Sequence, residues 1–259
     1  MTPESRHMRL PVLLADITAC LAFLTRIPIG VAGLDTGRAL ARSAWAFGIV
    51  GALVGGIGTV TYAVAVGLGL SPLIAATLSV AAMAAATGAL HEDGLADTVD
   101  GFGGGRDRTA KLRIMRDSHL GTFAAVVLFL TLVLRISVLA ALADPVVVGM
   151  ILMAAAAASR TVMVAIMAWV APARADGLGA TSGVPGSGTV ACGAMISISV
   201  VFAIAPAAVA VGILLAVAAA GAAVAWLARR QIGGHTGDVL GAAQQVSEAA
   251  ALVVAVALS

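Results

Sequence analysis

Residues 71–90 read SPLIAATLSVAAMAAATGAL, twenty positions without a charge. A run of that length crosses a hydrocarbon core about 30 Å thick as a helix, the form in which a segment satisfies its own backbone polar groups in lipid. Several further stretches are as apolar. The chain as a whole is 61% hydrophobic and 11% charged, with a mean hydropathy of +1.06; soluble domains carry about 25% charged residues. These features predict an all-α membrane protein with about seven transmembrane helices, near 44–66, 72–90, 121–142, 146–170, 189–205, 207–227 and 239–258. Residues 9–25, RLPVLLADITACLAFLT, are interrupted by Asp16 and predict an interfacial or re-entrant helix ahead of the spans. The start, MTPESRHMRL, shows no cleavable signal pattern.

Charge sorts the connections. The turns near 67–71, 143–145 and 206 hold no Lys or Arg, whereas segments 1–43, 91–120, 171–188 and 228–238 hold 13 of the 15 basic residues. The positive-inside rule places those four segments, and the N-terminus, in the cytoplasm. The expectation is one polytopic domain, 1–259, whose chemistry sits at the cytoplasmic face around the main loop, 91–120. A net charge of +2 gives no bulk attraction to nucleic acid. Cys20 and Cys192 lie in apolar stretches and read as packed residues. Gly51 and Gly55 form a GxxxG, and the AAAAAS of 154–159 adds a second small-residue surface, so close helix packing is expected.

After the apolar run comes HEDGLADTVDGFGGGRDRTAKLRIMRDSHLG, residues 91–121. Four carboxylates fall within nine residues, and five cations lie between Arg106 and Arg116. If the helix of 72–90 continues through this segment, Asp93, Asp97 and Asp100 (spaced i,i+4 and i,i+3) share one face, with Glu92 to its side. Uncompensated carboxylates so placed raise one another's pKa, and a divalent cation relieves them. Oxygen donors suit Mg²⁺ or Mn²⁺, which bind through few carboxylates together with substrate phosphates. Gly94 and Gly101 weaken a helix by about 1 kcal/mol each relative to Ala, and they keep a face open to a phosphate or to another helix. His91 reads equally as a base or as a cap at the membrane boundary. Gly103 to Gly105 free the backbone to fold around a ligand, and Arg106, Lys111 and Arg116 follow as partners for phosphate charge. The plain alternative is a solvated acidic loop paired with a basic run that meets anionic lipid.

Here the sequence resembles a known family, the cobalamin synthases or adenosylcobinamide-GDP ribazoletransferases. The resemblance rests on FLTRIP at 23–28, HEDGLADTVDGFGGG at 91–105, MRDSHLGTF at 115–123, and GGHTGDVLGA at 233–242 followed by Glu248. It implies a late step of adenosylcobalamin synthesis at a prokaryotic inner membrane. α-Ribazole, or its 5′-phosphate derivative, attacks the diphosphate of adenosylcobinamide-GDP, GMP leaves, and Mg²⁺ is required. Carried onto this sequence, the resemblance implies metal binding by Asp93, Asp97 and Asp100. Catalytic roles fall to Asp97 and Asp100, with Glu92 as ligand or base and His91 beside it. Substrate contacts fall to Gly103, Arg106, Lys111, Arg116 and Asp117. Asp238, Gln244 and Glu248 are expected to line a cavity beneath the metal site and to hold the second substrate. Arg135 and Arg160, within spans, are expected to face the bundle interior. The Gly-, Ser- and Pro-rich stretch 171–188 reads as a linker or a lid. Expected partners are the two substrates and membrane lipid; the oligomeric state stays open, a homodimer included. Two other classes compete. A CDP-alcohol phosphatidyltransferase would place DGxxAR before more widely spaced aspartates, but here Asp97 follows Asp93-Gly94-Leu95-Ala96 directly. A secondary transporter would show internal repeats, and none is evident.

Overall fold

The computed structural model describes residues 9–29, 36–177 and 182–259. They form eleven α-helices and no β-strand. In chain order these are α1 (Arg9–Leu24), α2 (Thr36–Ser43), α3 (Phe47–Gly67), α4 (Pro72–Thr87), α5 (Leu90–Gly104) and α6 (Arg108–Ile114). They continue as α7 (Thr122–Leu142), α8 (Pro145–Trp169), α9 (Ser187–Ile204), α10 (Ala207–Ile232) and α11 (Gly237–Ala257). Six stretches, containing α3 and α7 to α11, are long and apolar enough to cross a membrane, and the α4–α5 pair raises that number to seven if taken as one broken span.

The predicted map holds with one correction. The helix of 72–90 does not run on into the carboxylate segment. Gly88 and Ala89 both take left-handed backbone (φ 63° and 55°), and α5 leaves α4 at 88°. Glycine ends a helix this way at little steric cost, whereas alanine strains to do so. Of the pair, α4 is free of charge; α5, with four carboxylates, turns away from it and packs against α7 and α11.

The N-terminal helix is anchored by the residue that interrupts it. Asp16 is buried and accepts hydrogen bonds from Ser43 Oγ (2.7 Å) and Trp45 Nε1 (3.1 Å), with Arg42 at 3.5 Å. Cys20 is buried and its Sγ donates to Ser43 O. FLTRIP acts at the kink: Arg26 N–H donates to Ala86 O (2.7 Å), and the Arg26 side chain lies over Gly88, where a Cβ would come within 2.4 Å of Nε.

Helix α8 is the hub, packing against α3, α9, α10 and α11. Its run Ala154–Ala158 is buried throughout. The GxxxG glycines of α3 meet this run inside the bundle: a Cβ on Gly51 would lie 2.2 Å from Ala156 O, and one on Gly55 2.8 Å from Leu152 O. Across the interior runs a polar cluster. Arg135 on α7 donates to Glu248 on α11 (2.6 Å), to Gln245 (3.1 Å) and to Glu92 on α5 (3.3 Å). Arg160 on α8 approaches Glu248 at 3.4 Å, and Gln244 donates to Glu248 and to Ser159. As expected from their mid-span positions, Arg135 and Arg160 face inward, both 2% exposed.

Candidate active site

The segments rich in basic residues meet at one end of the bundle. Arg108 donates to Ala173 O (2.7 Å), Arg116 pairs with Asp176 (2.6 Å), Arg229 donates to Trp169 O (2.6 Å), and Arg174 approaches Asp238 at 3.5 Å. The GGHTGD stretch shows how tightly this end is drawn together. Gly233 closes α10 with φ 77°, and Gly234 passes so near Ala171 O that a Cβ would lie 2.2 Å away. His235 exchanges backbone hydrogen bonds with Ala171 and Ala173, and Thr236 caps α11 through Val239 N–H. Asp238 is thereby delivered beside α5.

Asp93, Asp97 and Asp100 do share a face of α5, and together with Arg116, Asp117 and His119 they line a polar cavity of about 280 Å³. Asp93 is exposed, Asp97 and Asp100 half-buried. Partial burial, then the charges of Asp238, Asp93 and Asp100, push the Asp97 carboxyl up to about 7, against the opposing pull of Arg174. Crowded carboxylates in this state are a suitable environment for a cation. Yet among the described residues no three His, Cys, Asp or Glu side chains converge as a ready-made metal cage. Asp100 is also committed elsewhere: its two oxygens accept from Gly121 N–H (2.7 Å) and Ala124 N–H (2.9 Å), which caps the start of α7. The donor set therefore fits an ion held by Asp93 and Asp97 and completed by substrate oxygens, the habit of Mg²⁺, rather than an ion enclosed by protein alone.

The family-model comparison matches residues 16–256 to "Cobalamin-5-phosphate synthase". The chain is 46% identical over 246 residues to the adenosylcobinamide-GDP ribazoletransferase of Bradyrhizobium diazoefficiens, covering 95% of this chain and 94% of that protein. The proteins of the same name from Mesorhizobium japonicum (46%, 95% of each chain) and Sinorhizobium medicae (43%, 92% and 94%) are similar to it as well. The chain belongs to the cobalamin-5-phosphate synthase family. No solved structure matches it.

Several residues singled out by the resemblance to this synthase family have other work in the structure. Glu92 turns away from the aspartate face, accepting from Arg135 and from Gln245 (3.1 Å). Gln244 and Glu248 do not line an open cavity. They are 0% and 1% exposed and their polar atoms are spent on Arg135, Arg160, Ser159 and each other, because a charge in the apolar interior is tolerable only when fully partnered. The glycines serve packing. Gly94 lies against Gly241 and the Asp238 backbone of α11, Gly101 against Met115, Gly105 against Lys111, and Gly103 against the Phe123 ring, 2.7 Å from a notional Cβ. The loop expected to wrap a ligand at Gly103 is instead the end of α5. Of the cations, Lys111 bonds to Gln231 and Arg116 to Asp176, whereas Arg106 is exposed and makes no ion pair among the described residues. Asp117 accepts from the His119 ring (2.5 Å) at the cavity rim. His91 is buried and its Nε2 has no partner among the described residues. Part of the lid expectation, 178–181, lies outside the described residues. Residues 171–177 are tied down through His235, Asp238 and Arg116.

Sequence reasoning passed over Arg174 and Gln245. Arg174 is the single charged residue between Ala171 and Ala175, a signal within a stretch otherwise typical of a linker. Gln245 adjoins Gln244 on a helix turn where one polar residue already needed explanation.

Proposed function

We propose that this chain transfers the adenosylcobinamide phosphoryl group of adenosylcobinamide-GDP to a free ribose hydroxyl of α-ribazole or α-ribazole 5′-phosphate, releasing GMP. What carries the reading is the polar cavity in which Asp93, Asp97 and Asp100 face Arg116 at the basic end of the bundle, in a family whose relatives are named for that reaction. A bond forms between the acceptor oxygen and the cobinamide-side phosphorus, and the phosphorus–oxygen bond to GMP breaks. Such transfers need positioning and charge neutralisation more than covalent help from protein. Asp93 and Asp97 would hold Mg²⁺ or Mn²⁺, which supplies neutralisation of the diphosphate charge. Arg106, which makes no ion pair among the described residues, would bind a substrate phosphate; Arg116 joins it by exchanging Asp176 for substrate. Asp100 keeps α5 and α7 in register through its cap. Asp117 holds His119 at the cavity mouth, and Asp238 adds to the field that makes the Asp97 position demand a cation.

The test is direct. Protein in detergent, with adenosylcobinamide-GDP, α-ribazole and Mg²⁺, should form cobalamin and GMP in equal amounts. EDTA should stop both, and Mg²⁺ or Mn²⁺ should restore them. No GMP release with active substrates sinks the reaction; full activity after rigorous chelation sinks the metal assignment. The membrane proposed is the prokaryotic inner membrane, with the N-terminus and this site in the cytoplasm. Reporter fusions at Gly105 and Gly234 should then report cytoplasm, and one at Asp144 the opposite side; a Gly105 reporter on the outer side overturns that orientation.

A further inference from the structure

Asp93 borders two cavities. Beyond the polar one lies a second, of about 190 Å³, between α5, α8, α11 and the end of α1. Its walls are mostly apolar: Phe23 and Phe47, whose rings stack 6.2 Å apart at 18°, with Leu240, Met163 and Met167. Methionine adapts its shape and its sulfur contacts aromatic rings favourably. The polar side chains in its lining are few, namely His91, Asp93, Arg174, Ser182 and Asp238. Two of their atoms, His91 Nε2 and Arg174 Nη1, are buried with no hydrogen-bond partner among the described residues. Buried polar atoms are normally paired, and an orphan in a cavity wall points to a ligand atom that completes it.

Size and chemistry narrow that ligand. Pockets for whole drug-sized ligands run to about 300–1,000 Å³, so this one takes a single ring system. Apolar walls with few donors suit a fused heteroaromatic ring that carries one free ring nitrogen. A guanine would bring several donors and acceptors on its edges, and each left unpaired costs affinity. Asp238, the carboxylate best placed to meet them, is already engaged by Arg174 (3.5 Å) and Thr236 (3.1 Å).

We infer that this cavity holds the benzimidazole base of the acceptor nucleoside, with His91 Nε2–H donating to its free ring nitrogen and the ribose passing Asp93 into the polar cavity. The inference rests on the transferase reading above. It makes His91 a binding residue for the acceptor and gives FLTRIP, through Phe23, a place in the site.

Two variants test it, each first checked for monodispersity in detergent. Met167→Trp fills the cavity; His91→Phe keeps a ring but removes its nitrogens. Each should raise the KM for α-ribazole by about tenfold or more, the loss given by a blocked pocket or a missing hydrogen bond. The KM for adenosylcobinamide-GDP should stay within about twofold of wild type in both. Free 5,6-dimethylbenzimidazole should compete with α-ribazole and not with adenosylcobinamide-GDP, a measurement on wild-type protein that decides even if neither variant folds. A rise confined to the KM for adenosylcobinamide-GDP, or inhibition not competitive with α-ribazole, overturns the pocket while the reaction stands. Equilibrium dialysis with α-ribazole separates the converse case: saturable binding lost in Met167→Trp, without GMP release by the wild type, keeps the pocket and removes the reaction.

Discussion

At the scale of single residues, the site depends on which carboxylates are free. Glu92, Asp93, Asp97 and Asp100 are near neighbours in sequence, but Glu92 is held by Arg135 and Asp100 caps α7, which leaves Asp93 and Asp97 facing the cavity with uncommitted oxygens. Asp97→Asn keeps the side chain's size and removes its charge. It should insert and purify normally yet lose turnover by about 100-fold or more at saturating substrate, as when a group stabilising transition-state charge is removed. Near-wild-type turnover would reduce Asp97 to a member of a solvated face. At the rim, the Asp117 carboxylate accepts from His119 and holds its imidazole above the ordinary histidine range, through the hydrogen bond first and the charge second. Protonation is favoured by an acceptor that stays anionic, so the His119 midpoint measured by NMR should fall back towards the ordinary histidine value of 6.5 in Asp117→Asn. An unmoved midpoint would show that the pair does not form in solution.

At the scale of elements, small residues decide how near two helices come. The GxxxG of α3 could have served a dimer, but it packs on the alanine run of α8 in the same chain, its missing Cβ atoms filled by backbone carbonyls. Backbone cannot move aside as a flexible side chain can. Gly51→Ala should therefore destabilise the protein by about 1–3 kcal/mol, the usual penalty for overpacking, read as a lower thermal midpoint in detergent. An unchanged midpoint would mean that α3 and α8 sit farther apart than described. The same logic separates two readings of glycine in the acidic segment. Gly94 and Gly101 stand open, as their spacing foretold, but to α11 and Met115 rather than to phosphate. The carboxylate spacing was legible because it depends on helical period alone. The helix that carries it was not, since Gly88 and Ala89 break the span at a point where the sequence shows only one glycine among apolar residues.

At the scale of the molecule, the buried cluster ties the site to the bundle. Glu92 on α5 reaches Glu248 on α11 through Arg135 on α7, and Arg160 on α8 completes the set. Removing one member of a buried ion pair strands the other, at a cost of about 3–5 kcal/mol. Arg135→Met should accordingly lower the thermal midpoint sharply; an unchanged midpoint would show that these ion pairs do not tie the site to the bundle. The sequence by itself determined the class of fold, the span positions to within a few residues and the end of the bundle where the basic segments meet. Hydropathy and basic-residue bias act through the solvent that each segment meets, which needs no knowledge of neighbours. Only the tertiary structure decided what each charged residue faces. Gln244 and Glu248 turn into a closed network, Arg174 comes from a distant loop to Asp238, and Phe23, Phe47, Met163 and Met167 form a cavity beside Asp93. Those pairings depend on the 88° turn after α4 and on the packing of α11 against α5, contacts between residues as much as 153 positions apart that leave no local pattern in the chain.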